Sequence, residues 1–280
     1  MNLFKHFDAI IASINIDSQI AEDSITGVNS SGEQENISTP TLQLEVVRRM
    51  YEGTDEWMVA PNGKKSKLNE RQWLQVRTPN FKRWFGDWEN DPQNASKVLD
   101  DNGEPMVVYH GTNIPLNKLI VFKAGEVGWL GPGIYLTPFA EYAKQFSDQG
   151  TGGIVPLFLN MRNPLVLKTT WRIGRPYLEL LEIMYGNRAK EIYHQRYDYV
   201  ADKDKEILAT MPEWKQNQYI HRRIITAEEV RKIFTHYDGI NWDDGEYSII
   251  DPNKIKHATK NNGEFGTNTN NILATEFEGD

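Results

Sequence analysis

A train of short apolar runs broken by turn residues sets the strongest limit on this chain: MVVYH at 106–110, KLIVF at 118–122, GIYLT at 133–137, GIVPLFLNM at 153–161 and PLVLK at 164–168. Runs of this length between Gly, Pro, Asn and Asp read as β-strands. A second group, YDGINW at 237–242 and GEYSII at 245–250, follows only after a stretch of helical character. That stretch, about 176–235, holds PYLELLEIMYG, NRAKEIYHQRYDYVADKDKEILATM and TAEEVRKIF, the last opened by Thr226 with Glu228 and Glu229 in its first turn. The pattern is a β-rich domain carrying a helical insertion. An α+β fold follows.

The chain before the first strand divides into two parts. Leu3, Phe4, Phe7, Ile10, Ile11 and Ile14 recur at spacings of three and four, one face of a short amphipathic helix. Residues 17–40 are polar and rich in Ser, Asn, Gly and acids, the composition of a linker. TLQLEVVRRMYEG then reads as a helix closed by Gly53. The expected organisation is an N-terminal helix and polar linker over 1–40, a helical basic and aromatic lead-in over 41–95, the main domain over 96–273 with its insertion, and an acidic tail over 274–280.

Within the lead-in, residues 62–88 combine Lys64, Lys65, Lys67, Arg71, Arg77, Lys82 and Arg83 with Trp73, Phe81, Trp84 and Phe85. Cations beside aromatic planes suit phosphates and unstacked bases. The same pattern also fits aromatics in a core beneath a solvated cationic face, and both readings stand at this point. A second basic cluster, His221-Arg222-Arg223, reads first as a solvated helix face.

Composition narrows the chemistry. With 39% hydrophobic and 25% charged residues the chain can build a core. Cysteine is absent, which excludes a thiolate nucleophile and Cys-ligated zinc and fits a reducing compartment. The scattered histidines make no metal-ligand spacing, so no metal is expected. Asp8 interrupts the N-terminal apolar stretch, no clear signal peptide is present, and no window approaches the ~20 apolar residues of a membrane span. A cytoplasmic protein without membrane attachment is expected. The net charge of −8 disfavours nonspecific attraction to nucleic acid.

Three strand-edge features stand out: His110-Gly111-Thr112 after MVVYH, Tyr135 within GPGIYLTP, and Glu246 within GEYSIIDPNKIK. Taken singly, each also reads as structural: a satisfied histidine, a core tyrosine and a solvent-facing acid. In this order they resemble the His-Tyr-Glu branch of the ADP-ribosyltransferases, which includes diphtheria toxin and the poly-ADP-ribose polymerases. The flanks LNERQWLQVRTPNFKRWFGDW, NASKVLDDNGEPMVVYHGT, YDGI, EYSIIDPNKIKHAT and NNGEFGTNTNNIL are similar to the modules of phage and mobile-element polyvalent proteins, over about residues 57–273. The helical insertion is the least similar part.

The resemblance implies two packed, mainly antiparallel sheets around an NAD cleft, and cleavage of the nicotinamide–ribose bond of NAD through an oxocarbenium-like transition state. It casts His110, Tyr135 and Glu246 as the catalytic set. His110 would bond the adenosine ribose, the Gly111 backbone the nicotinamide amide, and Thr112 lies in the same motif. Tyr135 and Phe146, eleven positions on, would clamp the nicotinamide ring, and Glu246 would hold a ribose hydroxyl and stabilise the cation. Asp244, two residues before Glu246, is too short to imply the arginine specificity of the family's other branch.

The expected function is a mono-ADP-ribosyltransferase toxin of a toxin–antitoxin or phage-defence system. Its acceptor is a macromolecule, with a lean to single-stranded nucleic acid contacted by Arg77, Lys82 and Arg83. An antitoxin or inhibitor protein is an expected partner. A protein acceptor, NAD hydrolysis with water as acceptor, and a non-catalytic binding module of the same fold are the alternatives.

Overall fold

A computed structural model describes residues 24–28, 34–147, 152–169, 175–242 and 245–273. The amphipathic helix expected over residues 3–14 and the acidic tail lie outside them. The chain forms two compact units, one of Met1–Val107, Pro156–Asn160 and Ile255–Asp280, the other of Val108–Val155 and Met161–Lys254. Short segments from far along the chain join the lead-in in the first unit.

The first unit opens with an antiparallel ribbon, β1 (Ser24–Val28) and β2 (Gln34–Ser38), that sets Ile25 opposite Ile37. The linker reading of 17–40 did not anticipate it. Helix α1 (Thr39–Tyr51) follows, with Arg48 and Arg49 in its last turn and Gly53 at φ +81° beyond it. Helix α2 (Glu70–Arg77) starts with a capping box: Asn69 Oδ1 accepts from Gln72 N–H at 3.0 Å, and Gln72 Oε1 accepts from Asn69 N–H at 3.1 Å. Thr78 ends that helix and caps α3 (Pro79–Phe85), whose first residue is Pro79.

These helices put Trp73, Phe81, Trp84 and Phe85 into the interior, each at most 2% exposed. The ring of Phe81 lies 5.0 Å from Phe85, 5.1 Å from Phe158 and 4.9 Å from Phe265. The lead-in aromatics are therefore core filler and not a stacking platform for bases. Burying a side chain of this size stabilises by about 1.5–3 kcal/mol.

The second unit holds a sheet of order β4-β8-β7-β6, from β4 (Ile134–Leu136), β6 (Pro164–Leu167), β7 (Gly239–Trp242) and β8 (Glu246–Ile249). The β4–β8 and β8–β7 pairs are antiparallel, and β7–β6 is parallel. A parallel pair needs a crossover connection, and the helical insertion is that crossover. It comprises α5 (Pro176–Tyr185), α6 (Ala189–Lys203), α7 (Lys205–Ala209), α8 (Glu213–His221) and α9 (Ala227–Ile233). Tyr177, Leu180 and Leu181 of α5 and Val230 of α9 share a buried cluster with Leu167, Ile240 and Trp242 of the sheet. Thr226 caps α9 through a capping box with Glu229, which also pairs with Arg196 at 2.9 Å.

The remaining sheet has the order β3-β5-β9, from β3 (Val108–Thr112), β5 (Gly153–Leu159) and β9 (Ile255–His257), and β5 begins in the second unit and ends in the first. The apolar run KLIVF forms no strand in the structure: Leu119 and Phe122 are buried from a loop. No helix among the described residues is long and apolar enough to cross a membrane.

Candidate active site

The register of the β4–β8 pair brings the site together. Tyr135 sits opposite Ser248, and Glu246 is two residues from Ser248 along β8. Side chains alternate along a strand, so Glu246 shares a sheet face with Tyr135 as its diagonal neighbour. A bridge between Tyr109 and Thr137 then ties β3 to the end of β4, with Tyr109 N–H donating to Thr137 O at 2.7 Å. His110, Tyr135 and Glu246 all line one cavity of about 330 Å³ within the second unit.

Each group is held in a definite state. His110 Nδ1 lies 2.8 Å from the Tyr135 carbonyl oxygen. A carbonyl only accepts, so Nδ1 carries the proton and Nε2 keeps a lone pair. Burial lowers the His110 pKa from its ordinary value, despite the opposing bond to Tyr135, and favours the neutral ring. Phe122 abuts the imidazole edge-on at 4.9 Å, the use that the KLIVF loop serves.

The Tyr135 hydroxyl is occupied within the protein: it donates to Gly131 O at 2.6 Å and accepts from Leu130 N–H at 3.0 Å. Burial raises its pKa strongly. The ring, and not the hydroxyl, is what Tyr135 offers to the cavity. Gly131 makes the turn with φ +84°, a conformation natural to glycine.

Gly111 and Phe146 also line the cavity, and Phe146 is 45% exposed, an aromatic ring left open for a flat ligand. A Cβ on Gly111 would overlap the Ala143 carbonyl of α4 (Ala140–Lys144). The glycine is needed first for that helix to seat against β3. Thr112 is not part of the lining: it is buried, and its Oγ1 accepts from Ile114 N–H at 3.1 Å to shape the turn after β3. Its side chain is spent on local structure.

The acceptor candidates of the lead-in take other roles. Arg77, 5% exposed, pairs with Glu104 at 2.9 Å and Glu89 at 3.3 Å and packs over the Trp73 ring at 3.8 Å. Lys82, 8% exposed, pairs with Asp87 and Glu89. Both charges are neutralised inside the first unit, which corrects their reading as a phosphate-binding face. Of the three, Arg83 alone is exposed, and its Nη1 donates to Asn80 Oδ1 at 3.1 Å.

Tyr142 and Arg222 also line the cavity; the sequence did not single out Tyr142, and it offered Arg222 only within a basic cluster read as a solvated helix face. Burial, then the charge of Glu246 and hydrogen bonding to its carboxylate, push the pKa of Tyr142 up to about 12. Its four-residue spacing from Phe146 on a helical segment was the available signal. Arg222 lies in the HRR cluster, whose members diverge: His221 stacks on Tyr177 at 4.9 Å, Arg223 covers Tyr219 at 3.4 Å, and Arg222 reaches Trp129 at 5.0 Å.

A family model described as ADP-ribosyltransferase in polyvalent proteins matches residues 100–265. The chain belongs to this family. The match spans β3, β4, the crossover helices and β8, so it includes every residue of the cavity. The α+β architecture with two antiparallel-dominated sheets is accordingly that of an ADP-ribosyltransferase. No curated protein and no solved structure matches the chain. Enzymes of this kind use NAD as substrate, and the cleft of this ADP-ribosyltransferase combines open aromatic surface, a neutral imidazole and a carboxylate.

Proposed function

We propose that this ADP-ribosyltransferase cleaves the bond between nicotinamide and ribose in NAD and transfers ADP-ribose to a macromolecule, acting as a toxin in a toxin–antitoxin or phage-defence system. The observation that carries the chemistry is the shared sheet face of Tyr135 and Glu246, with His110 tied to the Tyr135 carbonyl. Loss of nicotinamide leaves positive charge on the ribose, and a carboxylate beside it lowers that barrier electrostatically. Glu246 is that carboxylate, and Tyr142 orients it. Tyr135 and Phe146 hold the flat leaving group between rings. His110 accepts from a ribose hydroxyl through Nε2, the atom its bond to Tyr135 leaves bare.

The toxin setting is supported by the family's occurrence in polyvalent proteins. The sequence-based lean toward single-stranded nucleic acid loses Arg77 and Lys82 to internal ion pairs, so the acceptor is left as a macromolecule of either class.

The test is incubation of the chain and a cell lysate with NAD labelled in its adenylate half. Released nicotinamide together with label fixed on protein, RNA or DNA is the expected result, and the labelled fraction names the acceptor. Free ADP-ribose alone would convert the reading to NAD hydrolysis, and no nicotinamide release would remove it.

A further inference from the structure

Arg222 stands in the cleft without an ion-pair partner among the described residues. It caps the C-terminal end of α8, where a cation is favoured by the helix dipole, and the insertion thereby sends one side chain into the cavity. Its Nε is buried and has no hydrogen-bond partner. Among the described residues the guanidinium makes no hydrogen bond or ion pair; its contact is the Trp129 ring, 5.0 Å away. That contrasts with Arg77 and Arg196, each paired to a buried carboxylate.

A partly buried guanidinium braced on an indole is a preorganised anion site. The ring contact restrains the guanidinium, whose N–H groups suit two oxygens of a phosphate. Glu246 lies in the same cavity, and Lys123 adds a second cation to its lining. A lining with two cations, Arg222 and Lys123, against the single carboxylate of Glu246 favours a ligand that carries negative charge.

We propose that Arg222, held on Trp129, is the phosphate-binding residue of this cleft, and that the diphosphate of the dinucleotide is what it binds. This rests on the reading of the cleft as an NAD site. The diphosphate joins the two ribose units assigned to His110 and Glu246, and Arg222 lines the cavity that holds both residues. The crossover helices thus contribute to substrate binding as well as to the fold. A phosphate on a nucleic-acid acceptor offers the same chemistry, and the experiment separates the two sources.

The test titrates ADP-ribose, adenosine and nicotinamide into the wild type, Arg222→Gln and Arg222→Lys, with circular dichroism to confirm folding. Loss of a charge-assisted phosphate contact predicts about 10- to 100-fold weaker ADP-ribose binding in Arg222→Gln, partial recovery in Arg222→Lys, and unchanged adenosine and nicotinamide binding. In a second arm a short single-stranded RNA is titrated at saturating ADP-ribose. Weakening of the RNA with ADP-ribose unaffected keeps the phosphate site and assigns it to the acceptor. Unchanged binding of both overturns the proposal. A wild type that binds neither ADP-ribose nor nicotinamide fails at the NAD reading itself and takes this proposal with it, a result separable from any effect at residue 222.

Discussion

His110 Nδ1 donates to the carbonyl oxygen of Tyr135 across 2.8 Å, so one hydrogen bond joins two side-chain positions of the cleft and selects the tautomer of the ring. The functional atom is then Nε2, which must stay unprotonated to accept from a sugar hydroxyl. Because burial lowers the His110 pKa below its ordinary 6.5, the neutral form persists into mildly acidic solution and is lost only as pH falls through the lowered value. The expected pH profile of kcat/KM has an acid limb below pH 6.5 that follows titration of the His110 ring in NMR. A His110 ring that titrates above 6.5 contradicts this account.

Tyr142 acts through Glu246. Its hydroxyl keeps its proton across the working range, since burial and the neighbouring carboxylate push its pKa up to about 12. Tyr142→Phe removes a bond to a charged group, which is worth about 1.5–3 kcal/mol, and kcat should fall by roughly 10- to 100-fold with little change in KM. In a Glu246→Gln background the same substitution should cost much less. Additive losses in that double-mutant cycle would place Tyr142 outside the mechanism.

Arg77 and Glu104 form a buried pair in the first unit, with side chains 4% and 0% exposed. Removing one partner leaves an uncompensated charge, so Arg77→Met should destabilise by about 3–5 kcal/mol in urea titration. Replacing both with apolar residues should recover most of the loss. If the single variant is as stable as the wild type, Arg77 is not a structural counter-ion and its role in acceptor binding reopens.

His221 and His257 are held neutral, each with its pKa lowered to about 4, first by burial and then by Arg175 and Lys260 respectively. In the unfolded chain both take up protons near 6.5, whereas in the folded chain they do so only near 4. The unfolded state binds more protons in between, so stability falls as pH drops through that window and this contribution levels off below it. The melting temperature should decline from pH 7 to pH 4, and the slope should lessen in a His221→Gln, His257→Gln variant. A flat melting temperature over that range would refute the neutral burial of both rings.

Much of the site was legible because its residues sit in short apolar runs bounded by turn residues. His110 and Tyr135 lie within β3 and β4 and Glu246 opens β8, and those runs are marked locally by Gly, Pro and Asp. Whatever depended on distant partners was not. Seven cations among aromatics in 64–83 look the same whether they face solvent or internal acids, and only folding reveals Glu89 and Glu104 beside Arg77. KLIVF has the composition of a strand but forms only an isolated bridge at Val121, so Leu119 and Phe122 serve from a loop. In HRR, adjacent residues at a helix end point in different directions, and nothing in the triplet says that Arg222 is the one in the cleft.

The central claim, that Glu246 drives cleavage of the nicotinamide–ribose bond, is tested most directly by nicotinamide release from NAD under single-turnover conditions in the wild type and Glu246→Gln. The substitution keeps size and removes charge, so release should slow by about 100- to 1000-fold, the scale of losing one electrostatic stabiliser, while ADP-ribose binding changes little. Nicotinamide release by Glu246→Gln at the wild-type rate would contradict the account.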